Sequence, residues 1–229
     1  MTLSQKVAST IQILQQIEKE YLPAKLASSF GAEDQVLTDL IVKHAPQIAI
    51  ITLDTGRLHQ QTYDVLKKTR DRYQTTITVF TPRHEQLESH MTEFGPNAFY
   101  ESIELRKACC FVRKVEPLKR AIGGSKAWLT GLRREQAVTR HDLGVSEWDA
   151  AFGMQKFNPL LEWGLDDVWN YIKENDVPYN VLHDQGFPSI GCEPCTRAVA
   201  EGEDIRAGRW WWEDPVHKEC GLHNQKGKQ

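Results

Sequence analysis

Between Lys25 and Thr81 the chain alternates short apolar runs with stretches of helical periodicity, and that alternation restricts its fold more than any other feature. Lys25 to Phe30 reads as a buried strand that Gly31 breaks, and Glu33 to His44 follows as a helix with Val36, Leu37, Leu40 and Ile41 inward. Ile48 to Leu53 is a second strand, apolar apart from Thr52, and Asp54-Thr55-Gly56 ends it as a turn. Leu58 to Tyr73 then reads as a helix with Leu58, Thr62, Val65, Leu66 and Thr69 on one side, and Thr76 to Thr81 as a third, β-branched strand. Strands and helices alternating at this spacing predict βαβ units. The fold class is therefore α/β, a parallel doubly wound sheet covered on both faces.

The same periodicity predicts a first helix through Leu3, Val7, Ile11, Leu14 and Ile17, a strand from Ala127 to Thr130, and a helix from Glu162 to Asn175 whose aromatic residues belong to the core. Ligands of such sheets bind beyond the carboxyl ends of the strands, where the topology switches. Functional weight therefore falls on three glycine-bearing turns: Ser28-Ser29-Phe30-Gly31, Leu53-Asp54-Thr55-Gly56 and Gly131-Leu132-Arg133-Arg134. All three are expected to meet at one crevice. From Ala200 the apolar periodicity fades, and Trp210-Trp211-Trp212 is the one apolar anchor among glycines and charges. The expected organisation is a domain over 1–199 and a mobile tail over 200–229.

With 229 residues, 40% of them hydrophobic and 26% charged, neither a disordered nor a membrane class is favoured. No apolar run approaches the ~18 residues of a membrane-crossing helix. The first twenty residues lack the apolar block of a secretory signal. The expected location is cytoplasmic, where thiols stay reduced. A net charge of −3 argues against nucleic-acid or anionic-membrane binding. Yet basic residues gather in Arg106 to Arg120, at Arg133, Arg134 and Arg140, and in Arg197 to Arg209. Three such patches in an acidic chain suggest a small, highly charged anion, although any one alone is equally a solvated face.

The five cysteines carry the chemistry. Cys109 and Cys110 are adjacent, Cys192 and Cys195 form a C-x-x-C pair, and Cys220 stands alone in Glu219-Cys220-Gly221-Leu222-His223. Two distant pairs are the pattern of a four-thiolate site, which suits structural zinc or an iron–sulfur cluster. Inert buried cysteines are the plain alternative. The fifth thiol is left as the candidate nucleophile, in basic surroundings that favour its thiolate. His217 and His223 flank it. The turn Ser28 to Asp34 has the hydroxyls, glycine and helix start of a phosphate-binding loop, but no Gly-Lys-Ser/Thr, so a Walker-type ATPase is unsupported. A serine-rich helix cap would explain it equally well.

The blocks Lys107-Ala108-Cys109-Cys110-Phe111-Val112-Arg113-Lys114, Thr130-Gly131-Leu132-Arg133-Arg134-Glu135-Gln136, Ser189-Ile190-Gly191-Cys192-Glu193-Pro194-Cys195-Thr196-Arg197 and the terminal Glu-Cys-Gly-Leu-His resemble the assimilatory adenylyl-sulfate (APS) reductases of the PAPS/APS reductase family. The resemblance runs from about Ala24 to His223. It implies an adenine-nucleotide alpha-hydrolase-like fold, a [4Fe–4S] cluster on Cys109, Cys110, Cys192 and Cys195, and Cys220 as nucleophile. It further implies thioredoxin-dependent reduction of adenylyl sulfate to sulfite and AMP through an S-sulfocysteine, in sulfate assimilation and cysteine biosynthesis. The electron donor would be a thioredoxin- or glutaredoxin-like dithiol protein. Expected substrate contacts are Ser28, Ser29, Gly31, Asp54, Gly56, Lys114, Arg140, Arg206 and Arg209. A homo-oligomer is compatible with this reading. The competing readings are reduction of the 3′-phosphorylated substrate (PAPS), a zinc-stabilised four-cysteine binding module with an idle Cys220, and an ATP pyrophosphatase, against which the missing Ser-Gly-Gly-x-Asp-Ser loop counts.

Overall fold

The computed structural model describes residues 1–136 and 143–214. It divides into two compact units: one holds 1–52, 60–78 and 122–181, the other 53–59, 79–121 and 182 onward.

The first unit follows from the alternation. Helix α1 (Leu3–Glu20) is capped by Thr2, whose side chain accepts from the Gln5 N–H while the Gln5 side chain accepts from the Thr2 N–H. Strand β1 (Ala24–Ser28) buries every second residue. Helix α2 (Ala32–His44) follows, then β2 (Ala49–Leu53), α3 (Gln60–Tyr73) and β3 (Ile77–Phe80). After α4 (His84–Phe94), α5 (Ile103–Cys110) and α6 (Glu116–Ile122) the chain returns as β4 (Ala127–Leu129), then β5 (Ser146–Asp149), β6 (Met154–Phe157) and α7 (Leu165–Glu174).

The six strands stand in the order β3-β2-β1-β4-β6-β5. β1 runs parallel to β2 and to β4, and β4 parallel to β6. From β1 the chain steps outward through β2 and β3, then re-enters on the other side of β1 at β4. The direction of winding reverses between β1 and β4, so the switch point lies at their carboxyl ends. The core gathers Leu26, Val36, Leu37, Leu40, Ile50 and Leu129. Each such aliphatic side chain contributes roughly 1.5–3 kcal/mol on burial. Helix α2 is buried nearly all round. Asp39 accepts from the hydroxyls of Tyr73 at 2.8 Å and Tyr171 at 2.6 Å, and Gln35 donates to Thr69 and to the Pro178 carbonyl while its buried Oε1 has no partner.

The expected elements between Lys25 and Thr81 are present with ends shifted by a residue or two. Helix α3 starts at Gln60 because Leu58 is drawn into a bridge with Cys192. The sheet edge was not anticipated. β5 pairs antiparallel with β6 and so makes the sheet mixed at that edge. Of the stretch expected as a tail from Ala200, residues 200–214 fold within the second unit around Trp210, which is 1% exposed, and 215–229 lie outside the described residues. No helix among the described residues is long and apolar enough to cross a membrane.

Candidate active site

Two of the three expected turns come together in the first unit. The β1–α2 turn is sharp because Phe30 is left-handed, with φ of 61°. Its amides are taken up inside the loop: Ser29 N–H goes to Asp34 Oδ2 at 2.6 Å, Phe30 N–H to Ser28 Oγ at 3.2 Å and Gly31 N–H to Ser29 Oγ at 3.4 Å. The Ser29 hydroxyl also donates to Asp34 Oδ2, at 2.7 Å. Asp34 accepts from the Gly131 amide as well, so one carboxylate ties the loops after β1 and β4. A Cβ on Gly131 would lie 2.5 Å from Asp34 Oδ1, which is why the close approach needs glycine. Beside it Glu33 accepts from Arg133 Nε at 2.8 Å and Gln136 Nε2 at 2.9 Å. Burial pushes the Asp34 carboxyl up to about 6, against the lowering pull of its two Ser29 bonds. The sequence places Glu33 and Asp34 within the Ser28–Asp34 turn but marks neither as a contact, because an acidic pair in a first helical turn looks like a response to the helix dipole.

The third turn belongs to the second unit. There Asp54 Oδ1 accepts from Gly56 N–H at 2.8 Å, and Gly56 is left-handed with φ of 67°. Thr55 between them serves the cysteines. Its hydroxyl lies 3.2 Å from Cys192 Sγ, and its carbonyl accepts from Arg113 Nη1 at 2.6 Å.

Each cysteine pair is placed by its local backbone. Cys192 and Cys195 sit on a 3₁₀ turn over Glu193–Cys195, closed by Cys195 N–H to the Cys192 carbonyl at 3.0 Å. Cys192 caps the turn in an extended conformation, with ψ of 140°, and Cys195 ends it, so one short turn carries both thiols. Thr196 Oγ1 donates to the Cys192 carbonyl at 2.9 Å and Glu193 N–H to the Arg57 carbonyl at 2.8 Å, which pins the turn at both sides. Cys109 and Cys110 end α5, where the helix widens into a single π turn, Phe111–Val115, before α6. Such a widened turn re-aims the residues that follow, here Arg113 and Lys114.

All four thiols line one partly open cavity, together with Arg57, Phe99, Arg106, Arg113, Lys114 and Pro194. Cys109, Cys192 and Cys195 are buried and Cys110 is half-buried. Among the described residues no three His, Cys, Asp or Glu side chains converge as a single metal ion requires. The four thiols share this cavity with the cationic side chains of Arg57, Arg106, Arg113 and Lys114. Arg57 and Phe99 were absent from the sequence reading, and no local pattern marks them.

Electrostatics distinguishes the thiols. Burial raises Cys192, but Lys114, the Thr55 hydroxyl, Arg209 and Arg113 outweigh it and bring this thiol below its ordinary range. Burial and the neighbouring Cys192 and Cys110 push Cys195 up to about 12. Burial likewise raises Cys109. The first thiolate in this cavity suppresses the next, and full ionisation needs a positive group among the sulfurs.

Of the expected anion contacts, Lys114 is half-buried in the cavity wall. Arg209 is buried, with its guanidinium 4.7 Å above the Trp210 ring and Nη1 3.4 Å from Ser189 Oγ. Gly191 leaves it room, since a Cβ there would stand 2.4 Å from Arg209 Nη2. Arg206 is half-buried, and its N–H bonds to Asp204. Arg140, Cys220, His217 and His223 lie outside the described residues.

A switch-point α/β sheet in one unit and a cation-ringed four-thiol cavity in the other define the class: an adenine-nucleotide alpha-hydrolase-like fold bearing a cysteine centre. Residues 23–198 match the phosphoadenosine phosphosulfate reductase domain. The chain is 49% identical over 225 residues to the adenosine 5'-phosphosulfate reductase of Allochromatium vinosum, covering 98% of this chain and 88% of the relative. It is 52% identical over 221 residues to that of Burkholderia cepacia, covering 96% and 88%. The chain thus belongs to the phosphoadenosine phosphosulfate reductase family and is an oxidoreductase enzyme. A solved phosphoadenylyl-sulfate reductase from Candida auris, in a phosphate complex, superposes with a TM-score of 0.72 at 34% identity, over 83% of this chain and 90% of that one. The FMN adenylyltransferase of Candida glabrata, at 17% identity and a TM-score of 0.61 over 95% of this chain and 77% of that one, shares the fold alone.

Proposed function

We propose that this enzyme reduces adenylyl sulfate to sulfite and AMP in the cytoplasm, with Cys220 as nucleophile and a thioredoxin-like dithiol protein as electron donor. The observation that carries the reading is the four-thiol cavity walled by Arg57, Arg106, Arg113 and Lys114, in a chain about half identical to proteins called adenosine 5'-phosphosulfate reductase.

Cys109, Cys110, Cys192 and Cys195 would hold a [4Fe–4S] cluster, and the meeting of four thiols at one cationic wall supports that assignment. When bound, such a cluster supplies positive charge that lets all four thiols ionise and fixes two distant segments to each other. The group transfer itself belongs to the chain's own residues. The Cys220 thiolate attacks the sulfuryl sulfur, the S–O bond to phosphate breaks, and AMP leaves with the electron pair. Cationic side chains, Lys114, Arg140, Arg206 and Arg209 in this reading, meet the charge that grows on the departing phosphate. Ser28, Ser29, Gly31, Asp54 and Gly56 shape the loops that receive the nucleotide. A thiolate of the donor protein then attacks Cys220 Sγ and expels sulfite. Its second thiol resolves the mixed disulfide, so two electrons pass from dithiol to sulfite and Cys220 returns as thiolate.

Reduction of PAPS is the second reading, favoured by the resemblance to the Candida auris enzyme at its lower identity. Anaerobic assays of sulfite release from APS and PAPS in parallel separate the two, and preference for APS is expected. After a pulse of substrate without reductant, mass spectrometry should find one added SO3 on the Cys220 peptide, and Cys220→Ser should keep its iron absorbance yet lose turnover. A fully active Cys220→Ser removes the nucleophile. A working enzyme without iron removes the cluster.

A further inference from the structure

The last described stretch, Arg209–Asp214, is held more firmly than a connector requires. Trp210 is fully buried, yet its φ is 42°, a left-handed backbone that a bulky side chain adopts only where its surroundings dictate it. The surroundings here do. The guanidinium carbons of Arg106 and Arg209 lie 4.6 and 4.7 Å from the centre of the Trp210 ring. Arg106 also grips Glu213 with two parallel bonds, Nε and Nη2 to the two carboxylate oxygens at 2.8 Å each, and these side chains are 1% and 4% exposed.

Both thiol-bearing pieces take part. Arg106 stands one helical turn before Cys109 and Cys110 in α5. On the other side the Trp210 N–H donates to the Cys195 carbonyl at 3.2 Å, and Arg209 bridges to Thr196. A Cβ on Gly208 would lie 2.3 Å from the Arg197 carbonyl oxygen, so the two strands of this bridge touch backbone to backbone. Cys220 follows Asp214 by six positions in the sequence, a reach of about 20 Å at full extension.

We infer that Arg106, Trp210 and Glu213 form a latch coupling the cysteine centre to the order of 209–214, the stretch that precedes Cys220 in the sequence. With all four thiols engaged, α5 and the Cys192–Cys195 turn are fixed to each other, the latch closes, and 209–214 forms a fixed root. With the thiols disengaged the root loosens. The three residues are positioning residues, for none of them touches the transferred sulfur. The inference rests on the proposed roles of Cys220 and of the iron–sulfur group.

The test uses full-length protein, prepared anaerobically, with iron bound and after removal by a chelator. Amide hydrogen exchange across 209–214, alkylation of Cys220 by iodoacetamide in the presence of AMP, and iron absorbance are read on wild type, Glu213→Gln and Trp210→Phe. Iron removal should speed exchange across 209–214 by about tenfold in wild type and change the Cys220 alkylation rate. Glu213→Gln should keep its iron absorbance, exchange like the iron-free protein, and lose about tenfold in kcat with little change in KM. Should that variant lose iron, Trp210→Phe, which keeps an aromatic ring, carries the same comparison, and loss of iron from both overturns the latch in favour of a purely structural contact. Exchange that ignores iron, or variants with wild-type exchange and kcat, also overturn it. An active Cys220→Ser alongside iron-sensitive exchange would instead sink the nucleophile and leave the mechanical coupling standing.

Discussion

Asp34 shows how one buried carboxylate organises a binding loop. The folded group keeps its proton up to about 6, whereas the unfolded chain releases it near 3.8. Between those values the folded state binds more protons, so stability falls as pH rises through the window, by up to about 3 kcal/mol, and is level above it. Urea unfolding from roughly pH 4 to 8 should show wild type losing stability relative to Asp34→Asn up to about pH 6 and running parallel beyond. Parallel curves throughout would contradict the assignment. Gly131 is the counterpart. Its alanine variant would place Cβ 2.9 Å from Glu33 Cβ and 3.2 Å from the Asp34 amide, backbone and stem atoms that cannot swing aside. A cost of about 1–3 kcal/mol is expected in the urea midpoint, with weakened nucleotide binding. Ser28, Ser29, Gly31 and Gly131 were legible as loop residues from their types. Asp34 was not, because its importance comes from a burial that only the assembled β1 and β4 create.

At the level of elements, periodicity revealed what apolar packing builds and missed what polar contacts build. The β1–α2–β2–α3–β3 run was legible because each piece buries a continuous apolar set. The hairpin of β5 and β6 was not: Ser-Glu-Trp-Asp is an edge strand with no buried residue, held by pairing to Met154–Phe157. Residues 200–214 likewise looked unstructured, since a buried ion pair and stacked cations hold them in place of an apolar face. The cysteine pairs were legible, but the devices aiming them were not, above all the π turn after Cys110. Deleting Val112 should convert that turn to ordinary helix and rotate Arg113 and Lys114 by about 100° away from the cavity. Far-UV circular dichroism should be kept, while iron retention drops by roughly tenfold or more. Undiminished iron would show that the widened turn is not what aims them.

For the whole molecule, the two units divide the chemistry. The loops after β1 and β4 belong to the first unit, and the Asp54–Gly56 turn and the thiol centre to the second. Stripping iron should therefore raise amide exchange in α5 and around Cys192–Cys195 while β1, β2 and β4 keep their protection, which exchange mass spectrometry resolves segment by segment. Uniform loss of protection would deny this division. The first unit is complete once Val181 has been made, whereas the second needs three separate stretches, the last starting at Leu182. During synthesis at about 5–20 residues per second, Cys109 and Cys110 emerge long before the turn that completes their cavity. The thiol centre is thus finished late on the ribosome. Any group held by all four thiols would therefore have to arrive after Cys195 has been made, and until then the nascent thiols stand open to oxidation.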